Sequence, residues 1–344
     1  MICEATAYAR AGLIGNPSDG YFGKTISFVI RDFAAKVVLC ESPDLEIVPS
    51  FQDRSKYSSM RELREDVKSQ GYYGGIRLMK ATIRKFLDYC DEHGITLANS
   101  LSNGDKLCRN FSIRYRSTIP LRVGLAGSSA LVTATLRALM EFYEIDIAKV
   151  LQPSLVLAVE KNELDISAGL QDRVIQVYEG CVFMDFDRAL LESRGYGLYE
   201  ELDPSLLPKL FIGYRTDLAE GSEVFHNNIR ERWEAGDPDV VQAMKDFAHY
   251  AQEVRDLLVA GRGSEIGPWM DKNFDRRRSI YKIDPKNVDM VMRARSVGAS
   301  CKFAGSGGAV VGTYEDEAMY ERLQQAYAGA EIAVFKPTIE GTRL

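Results

Sequence analysis

Residues 123–143, VGLAGSSALVTATLRALMEFY, set a loop with almost no side chains directly before a helix. Gly124, Ala126, Gly127, Ser128, Ser129 and Ala130 have little to bury. Leu131, Thr135, Ala138, Leu139 and Phe142 recur at helical spacing and make one apolar face. Small residues let a backbone approach a neighbour closely, and a helix start offers unpaired N–H groups and the positive end of a dipole. Together these features describe a seat for an anion, most often a phosphate. Taken alone, the stretch also fits a tight turn with Ser128 or Ser129 as the helix N-cap, so the rest of the chain has to decide.

The 344 residues are enough for two packed domains, and 46% hydrophobic with 27% charged residues is an ordinary globular composition. A net charge of −6 argues against a general nucleic-acid binder, which needs a basic face, but leaves an anionic substrate open because local charge decides that. The six cysteines, Cys3, Cys40, Cys90, Cys108, Cys181 and Cys301, are scattered and form no C-x-x-C pair. Neither a disulfide framework nor a zinc site is expected, and a cytoplasmic protein is. No signal peptide or membrane-spanning apolar run is evident in the sequence.

Outward from the quoted stretch, the pattern alternates between strand and helix. KTISFVI places Ile26, Phe28 and Ile30 on one face, AAKVVLC and LEIVPS continue the strand signal, and FSIRYRSTIP returns to it with Phe111, Ile113 and Tyr115. Residues 52–71 read as a charged surface helix with loops. Met79, Ile83, Phe86, Leu87 and Cys90 form a helical stripe, and PSLVLAVEKNEL and GLQDRVIQVYEG predict two further helices. CVFMDFD reads as a strand. After a polar stretch near residue 195 come the strand KLFIGYRT, several helices, a strand-like KFAGSGGAVVGTY, the helix EDEAMYERLQQAYAG and a last strand EIAVFKPTI. The fold class is α+β, divided at 1–195 and 196–344.

The glycine loop carries no Walker lysine, GSGGAV at Gly305 lacks the third glycine of a dinucleotide fingerprint, and protein-kinase signatures are missing. His93, His226 and His249 are too far apart to suggest a histidine metal cluster or a catalytic triad. Three more segments stand out. In ARAGLIGNPSDGYFG a charged Arg10 sits in an apolar strand and a polar turn presents Asn16, Ser18 and Asp19; EKNELDISAGLQD holds Glu160 and Asp172; KFAGSGGAVVG is a second glycine-rich loop. Each has a plain structural reading as an Asx turn, a surface carboxylate or a bulge. Phosphoryl transfer gives all four a common purpose. It needs a phosphate cradle, oxygens for Mg²⁺, a group for the acceptor hydroxyl and a cation near developing charge.

In this order the four segments resemble the GHMP small-molecule kinases. PLRVGLAGSSA is similar to that family's P-x-x-x-G-L-x-S-S-A phosphate loop with one extra residue after Leu125; ARAGLIGNPSDGYFG and KFAGSGGAVVG resemble its first and last motifs. Within the family, NPSDGYFGKTIS, GYYGGIRLMKA, GLQDRV and NFDRRR are most similar to the glucuronokinases. Tyr8, Ala9, Gly12 and Asn16 stand where the galactokinase motif has Pro, Gly, Asn and Glu, which speaks against galactose.

The resemblance implies an N-terminal domain like ribosomal protein S5 domain 2, a ferredoxin-like C-terminal domain and a site between them. It implies ATP as co-substrate, Mg²⁺, and transfer of the γ-phosphoryl to the anomeric hydroxyl of a sugar acid, D-glucuronate first. It assigns Gly124, Leu125, Ala126, Gly127, Ser128, Ser129 and Ala130 to ATP, and Ser129 with Glu160 to the metal. Asp172 would take or orient the sugar hydroxyl proton, with Arg10 keeping it ionised. Asn16, Ser18, Asp19, Lys24, Gln171, Gly305, Ser306, Gly307 and Arg277 are expected around the sugar, with Lys24, Arg276, Arg277 and Arg278 as candidate partners of its carboxylate. The same pattern leaves open another sugar (fucose, a heptose or galactose), a decarboxylase that first phosphorylates, or a non-catalytic regulator that binds ATP and sugar.

Overall fold

A computed structural model of the chain describes residues 1–49, 53, 60, 74–100, 106–216 and 227–340. The alternating N-terminal segments form a long hairpin of β1 (Ile2–Ile14) and β2 (Lys24–Ser42). The other edge of β2 carries β6 (Asn110–Ser117) over its C-terminal half and β7 (Cys181–Asp185) over its N-terminal half. β3 (Glu46–Ile47) and β8 (Leu198–Leu202) extend the sheet beyond β6 and β7, and β4 (Ala98–Ser100) pairs with β5 (Lys106–Cys108) as a separate ribbon. The register of β1 on β2 shifts between Tyr8 and Ala9, immediately before Arg10. Such irregularities re-aim the side chains beside them.

Against this sheet lie α1 (Gly75–Glu92), α2 (Gly127–Tyr143), α3 (Gln152–Ala158) and α4 (Gln171–Tyr178), with a π turn over Val159–Glu163 between the last two and a short α5 (Arg188–Arg194) after β7. The expected single apolar face of α2 is an underestimate. Val132, Thr133, Ala134 and Leu136 are buried as well, because the sheet covers one side and α1 the other. Small β-branched and alanine side chains suit a helix enclosed in this way.

The second sheet is antiparallel, in the order β10 (Ser300–Phe303), β11 (Ala309–Thr313), β9 (Leu210–Arg215) and β12 (Ile332–Phe335). KFAGSGGAVVGTY is therefore two strands and a turn, with the glycines at the tip. Around it lie α6 (Asn227–Glu234), α7 (Pro238–Val259), α8 (Gly267–Ile280), α9 (Pro285–Ser296) and α10 (Glu317–Tyr327). Asp237, Asp284 and Asp316 accept first-turn N–H bonds of α7, α9 and α10, with Pro238 and Pro285 where a missing N–H costs nothing.

The sheets change over between Leu202 and Leu210. The first sheet thus runs past the expected division at residue 195, because β8 pairs with β7. One hydrophobic core joins the two halves, with Leu13, Ile26 and Phe28 from the first half and Ile212, Ala251, Val254 and Ala304 from the second. The helix expected over residues 52–71 lies almost wholly outside the described residues. Among the described residues no helix is long and apolar enough to cross a membrane.

Candidate active site

The phosphate-loop candidate follows β6 and turns three times through left-handed backbone, at Arg122 (φ 59°), Gly124 (φ 71°) and Ala126 (φ 62°). Ala126, not a serine, is the N-cap of α2, and no side chain caps that end. Gly127, Ser128, Ser129 and Ala130 thus lie in the first helical turn. The carbonyls of the loop are tied down from behind. Arg10 donates to Gly124 O from Nη1 (2.6 Å) and to Leu125 O from its backbone N (3.3 Å), and Gln176 Nε2 donates to Ala126 O (2.9 Å). Held this way, the loop keeps its uncapped helix N–H groups for another acceptor.

The second glycine loop, at the tip of the β10–β11 hairpin, meets the first backbone to backbone. A Cβ on Gly124 would stand 2.6 Å from Gly307 O, and one on Gly305 would stand 2.3 Å from Gly124 O. Both positions therefore exclude any side chain. Arg277 of α8, 4% exposed, fixes the hairpin tip by donating to Gly305 O (2.7 Å) and Ser306 O (3.1 Å). Lys302, fully enclosed, ties the hairpin to β1 through Gly12 O (2.6 Å) and Phe303 O (2.7 Å). Burial, with the charges of Arg277 and Arg10 nearby, holds the Lys302 amine well below the usual lysine range.

Arg10 joins these pieces to Asp172. Its Nε and Nη2 grip Asp172 Oδ1 and Oδ2 at 2.6 and 2.7 Å, a two-pronged pair across 162 residues of sequence. Asp172 stands in the first turn of α4 with a fifth of its side chain exposed, so the pair faces an opening rather than the core. Next to it, Arg173 reaches Asp172 Oδ2 with Nη1 at 3.5 Å but makes its main pairing with Glu160. It donates to Glu160 Oε2 from Nε (2.6 Å), also contacts that oxygen through Nη2, and bonds Gly169 O (2.9 Å). Glu160 is 1% exposed, and burial raises its pKa against the opposing pull of Arg173.

Around Asp172 lie the polar groups expected at the sugar. Asp19 Oδ2 accepts from Gln171 N at 3.4 Å; burial, then the charge of Asp172, pushes the Asp19 carboxyl up to about 6. Asn16 Nδ2 donates to Gly305 O at 3.4 Å. Its Oδ1 and the Oε1 of Gln171 are buried without a hydrogen-bond partner among the described residues. Such orphaned acceptors are uncommon and suit hydroxyl donors brought by a ligand.

Three residues expected at the substrate have their polar groups engaged within the protein. Ser18 Oγ bonds Lys24 O (2.9 Å) inside the turn. Lys24 pairs with Asp185 (3.1 Å) and Gln252 Oε1 (2.9 Å), which neutralises its charge. Arg277 holds carbonyls of the hairpin, as described. Of its neighbours, Arg276 pairs with Asp246 and Asp239, both on α7, and Arg278 is exposed. Sequence reading missed Arg173, Gln176 and Lys302. The DR dipeptide of GLQDRV is a signal for Arg173, since a second charge in a helix that also buries Val174 and Val177 needs a partner. Gln176 and Lys302 carry no comparable signal.

Comparison with known proteins places these features in a family. The GHMP kinases N terminal domain matches residues 79–180. The chain is 42% identical over 314 residues to Glucuronokinase 1 of Arabidopsis thaliana, covering 90% of this chain and 84% of the relative. It is 41% identical over 317 residues to the Probable glucuronokinase 2 of the same plant, with the same coverage. Among solved structures it is similar to Lactococcus lactis galactokinase complexed with galactose, with a TM-score of 0.73 at 14% identity, covering 100% of this chain and 95% of that one.

Proposed function

As the chain belongs to the GHMP kinase family, with glucuronokinases among its relatives over most of its length, we propose that it transfers the γ-phosphoryl group of ATP to the anomeric hydroxyl of D-glucuronate. The reaction class is carried by one observation: Arg10 bonds at once to Asp172, to the phosphate-loop candidate at Gly124 and, at 3.5 Å, to the base of the second glycine loop at Ala304. A single cation thereby sets the spacing between a carboxylate and a phosphate seat. The choice of sugar rests on the glucuronokinase relatives.

In this reading the N–H groups at Gly127, Ser128 and Ser129 and the neighbouring loop hold the phosphates of ATP. Asp172 accepts the hydrogen bond of the anomeric hydroxyl and aims its oxygen at the γ-phosphorus. As the new O–P bond forms, the bond from γ-phosphorus to the β–γ bridging oxygen breaks, ADP leaves, and the hydroxyl proton passes to Asp172. A loose transition state makes positioning and charge the main demands, which suits a carboxylate already fixed by Arg10. Asn16 and Gln171 offer their unpartnered oxygens to sugar hydroxyls.

Mg²⁺ fits the donor set. The hydrogen bonds of Arg173 fall on Glu160 Oε2, which leaves Oε1 as a hard oxygen, and Ser129 in the first helical turn after the phosphate-loop candidate offers a hydroxyl. Among the described residues no three His, Cys, Asp or Glu side chains cluster. Mg²⁺ usually keeps several waters and is bound through one or two carboxylates plus substrate phosphates. When bound, it would neutralise phosphate charge.

The test is an ADP-release assay with Mg·ATP against glucuronate, galacturonate, glucose, galactose and fucose. Fastest turnover on glucuronate, with a 1-phosphate product, is expected; turnover confined to a neutral sugar would refute the assignment. A pH series adds a second expectation. With Asp19 half ionised near 6, KM for the sugar should climb about tenfold per unit as pH falls below 6, and the Asp19→Asn limb should be flat. This is not acid unfolding. A carboxyl raised from 3.8 contributes stability that is fully present below 3.8 and is lost as pH rises through about 6, so on the acid side Asp19 favours the fold while binding weakens. An acid limb of the same size in Asp19→Asn would remove Asp19 from the sugar site.

A further inference from the structure

A sugar acid presents a carboxylate next to the reacting end, since C1 and C5 both bond to the ring oxygen. Hydrogen-bond acceptors such as Asn16 Oδ1 and Gln171 Oε1 serve hydroxyls, but the carboxylate needs donors and positive charge. Most cations around Asp172 are already engaged. Arg10 holds Asp172, Arg173 holds Glu160, Lys24 pairs with Asp185, Arg276 with Asp246, and Arg277 bonds carbonyls.

We propose that Arg230, on α6, is the residue that binds the carboxylate of the substrate and selects a uronic acid over a neutral sugar; this rests on the glucuronate reading above. Arg230 has no carboxylate or carbonyl partner among the described residues. Its guanidinium lies over the ring of Tyr21, 4.7 Å from the centroid. Tyr21 follows Asp19 and Gly20 in the turn that also carries Asn16, and a Cβ placed on Gly20 would stand 3.5 Å from Arg230 Nη2. The same turn touches the start of α4 through the Asp19–Gln171 hydrogen bond. Arg230 is thus beside the turn that borders Asp172.

The placement is fixed rather than incidental. One turn along α6, Trp233 packs edge-on to Tyr21 at 5.4 Å and against Phe22 at 6.0 Å, and Ile229 is buried. These contacts clamp the helix onto the substrate turn. Stacking occupies the flat face of the guanidinium and leaves its in-plane N–H donors free, which is the geometry for a two-pronged grip on a carboxylate.

The experiment compares D-glucuronate with its neutral analogue D-glucuronamide, which keeps the shape and removes the charge. Wild-type protein should strongly prefer glucuronate. In Arg230→Met, KM for glucuronate should rise about ten- to hundredfold while kcat stays near wild type, and KM for glucuronamide should hardly move. The two sugars then converge. Arg230→Lys should recover part of the preference, because charge returns without the fork. A structural role would raise both KM values together or lower kcat, and either result overturns the assignment, as does an unchanged glucuronate KM. If wild-type protein fails to phosphorylate glucuronate at all, the functional reading falls and this inference falls with it.

Discussion

Asp172→Asn is expected to lower kcat by about 10²- to 10⁴-fold with KM for ATP little changed. Asparagine keeps the size and can still accept a hydrogen bond, so the sugar should bind. It cannot take the proton, and it presents no charge to Arg10. In the native protein both carboxylate oxygens are gripped by that arginine at 2.6 and 2.7 Å, while Arg10 Nη1 reaches Gly124 O. With a neutral amide there, the guanidinium is left with carbonyls alone in a site that exposes 5% of it. The amide group will meet it with an N–H on one side, donor against donor. A second effect follows, a lower unfolding midpoint in urea, because one member of a largely enclosed pair has lost its counter-charge. The two effects separate cleanly. Single-turnover rates on protein shown to be folded report the chemistry, and the urea midpoint reports the pair. Wild-type kcat in the folded variant would take Asp172 out of the reaction.

Arg173→Met is expected to destabilise the protein by about 3–5 kcal/mol, because it strands a carboxylate that is 1% exposed. Methionine fills much of the volume, so the loss reports charge rather than a cavity. Burial already raises the pKa of Glu160 with Arg173 in place, and removing the arginine raises it further. The sign follows from linkage. A carboxyl raised above 4.5 contributes stability that is fully present below 4.5 and is lost as pH rises through its raised value, so the variant should be weakest at neutral and alkaline pH and recover on mild acidification. Adding Glu160→Gln to Arg173→Met should restore most of the loss at neutral pH, since no buried charge then remains. Urea titrations of the four proteins at two pH values decide it. A double variant as unstable as the sum of its parts would mean that the two residues are not coupled.

Both expectations turn on pairs whose members are legible one by one in the sequence and whose pairing is not. Arg10 stands out as a charge in an apolar strand, and Asp172 as a carboxylate near a helix start. The glycine-rich stretches announce places where backbone meets something closely. These signals are local: a residue's size, its charge, and the repeat of apolar positions over a few turns or strands, all of which act within about a dozen residues of chain. They were enough for the strands of the first sheet other than β8, which lies in the polar stretch read as the division, for α1, α2 and α4, and for the α+β class, and the ordered motifs were enough for the family resemblance.

What the sequence by itself determined, then, is the kinds of element and the kinds of side chain that the chain sets aside for chemistry. Only the tertiary structure decided which of those side chains meet. It enclosed α2 on nearly every side, folded KFAGSGGAVVGTY back on itself as a hairpin, and brought Gly305 against Gly124 across 181 residues of chain. It also engaged Lys24 with Asp185 and Arg277 with hairpin carbonyls, while leaving Arg230 stacked on Tyr21 beside the substrate turn. The physical reason is that a buried or half-buried charge takes the partner that sheet register and helix packing bring within about 3 Å. That register is set by the whole hydrophobic pattern acting together, so no window of sequence contains the choice.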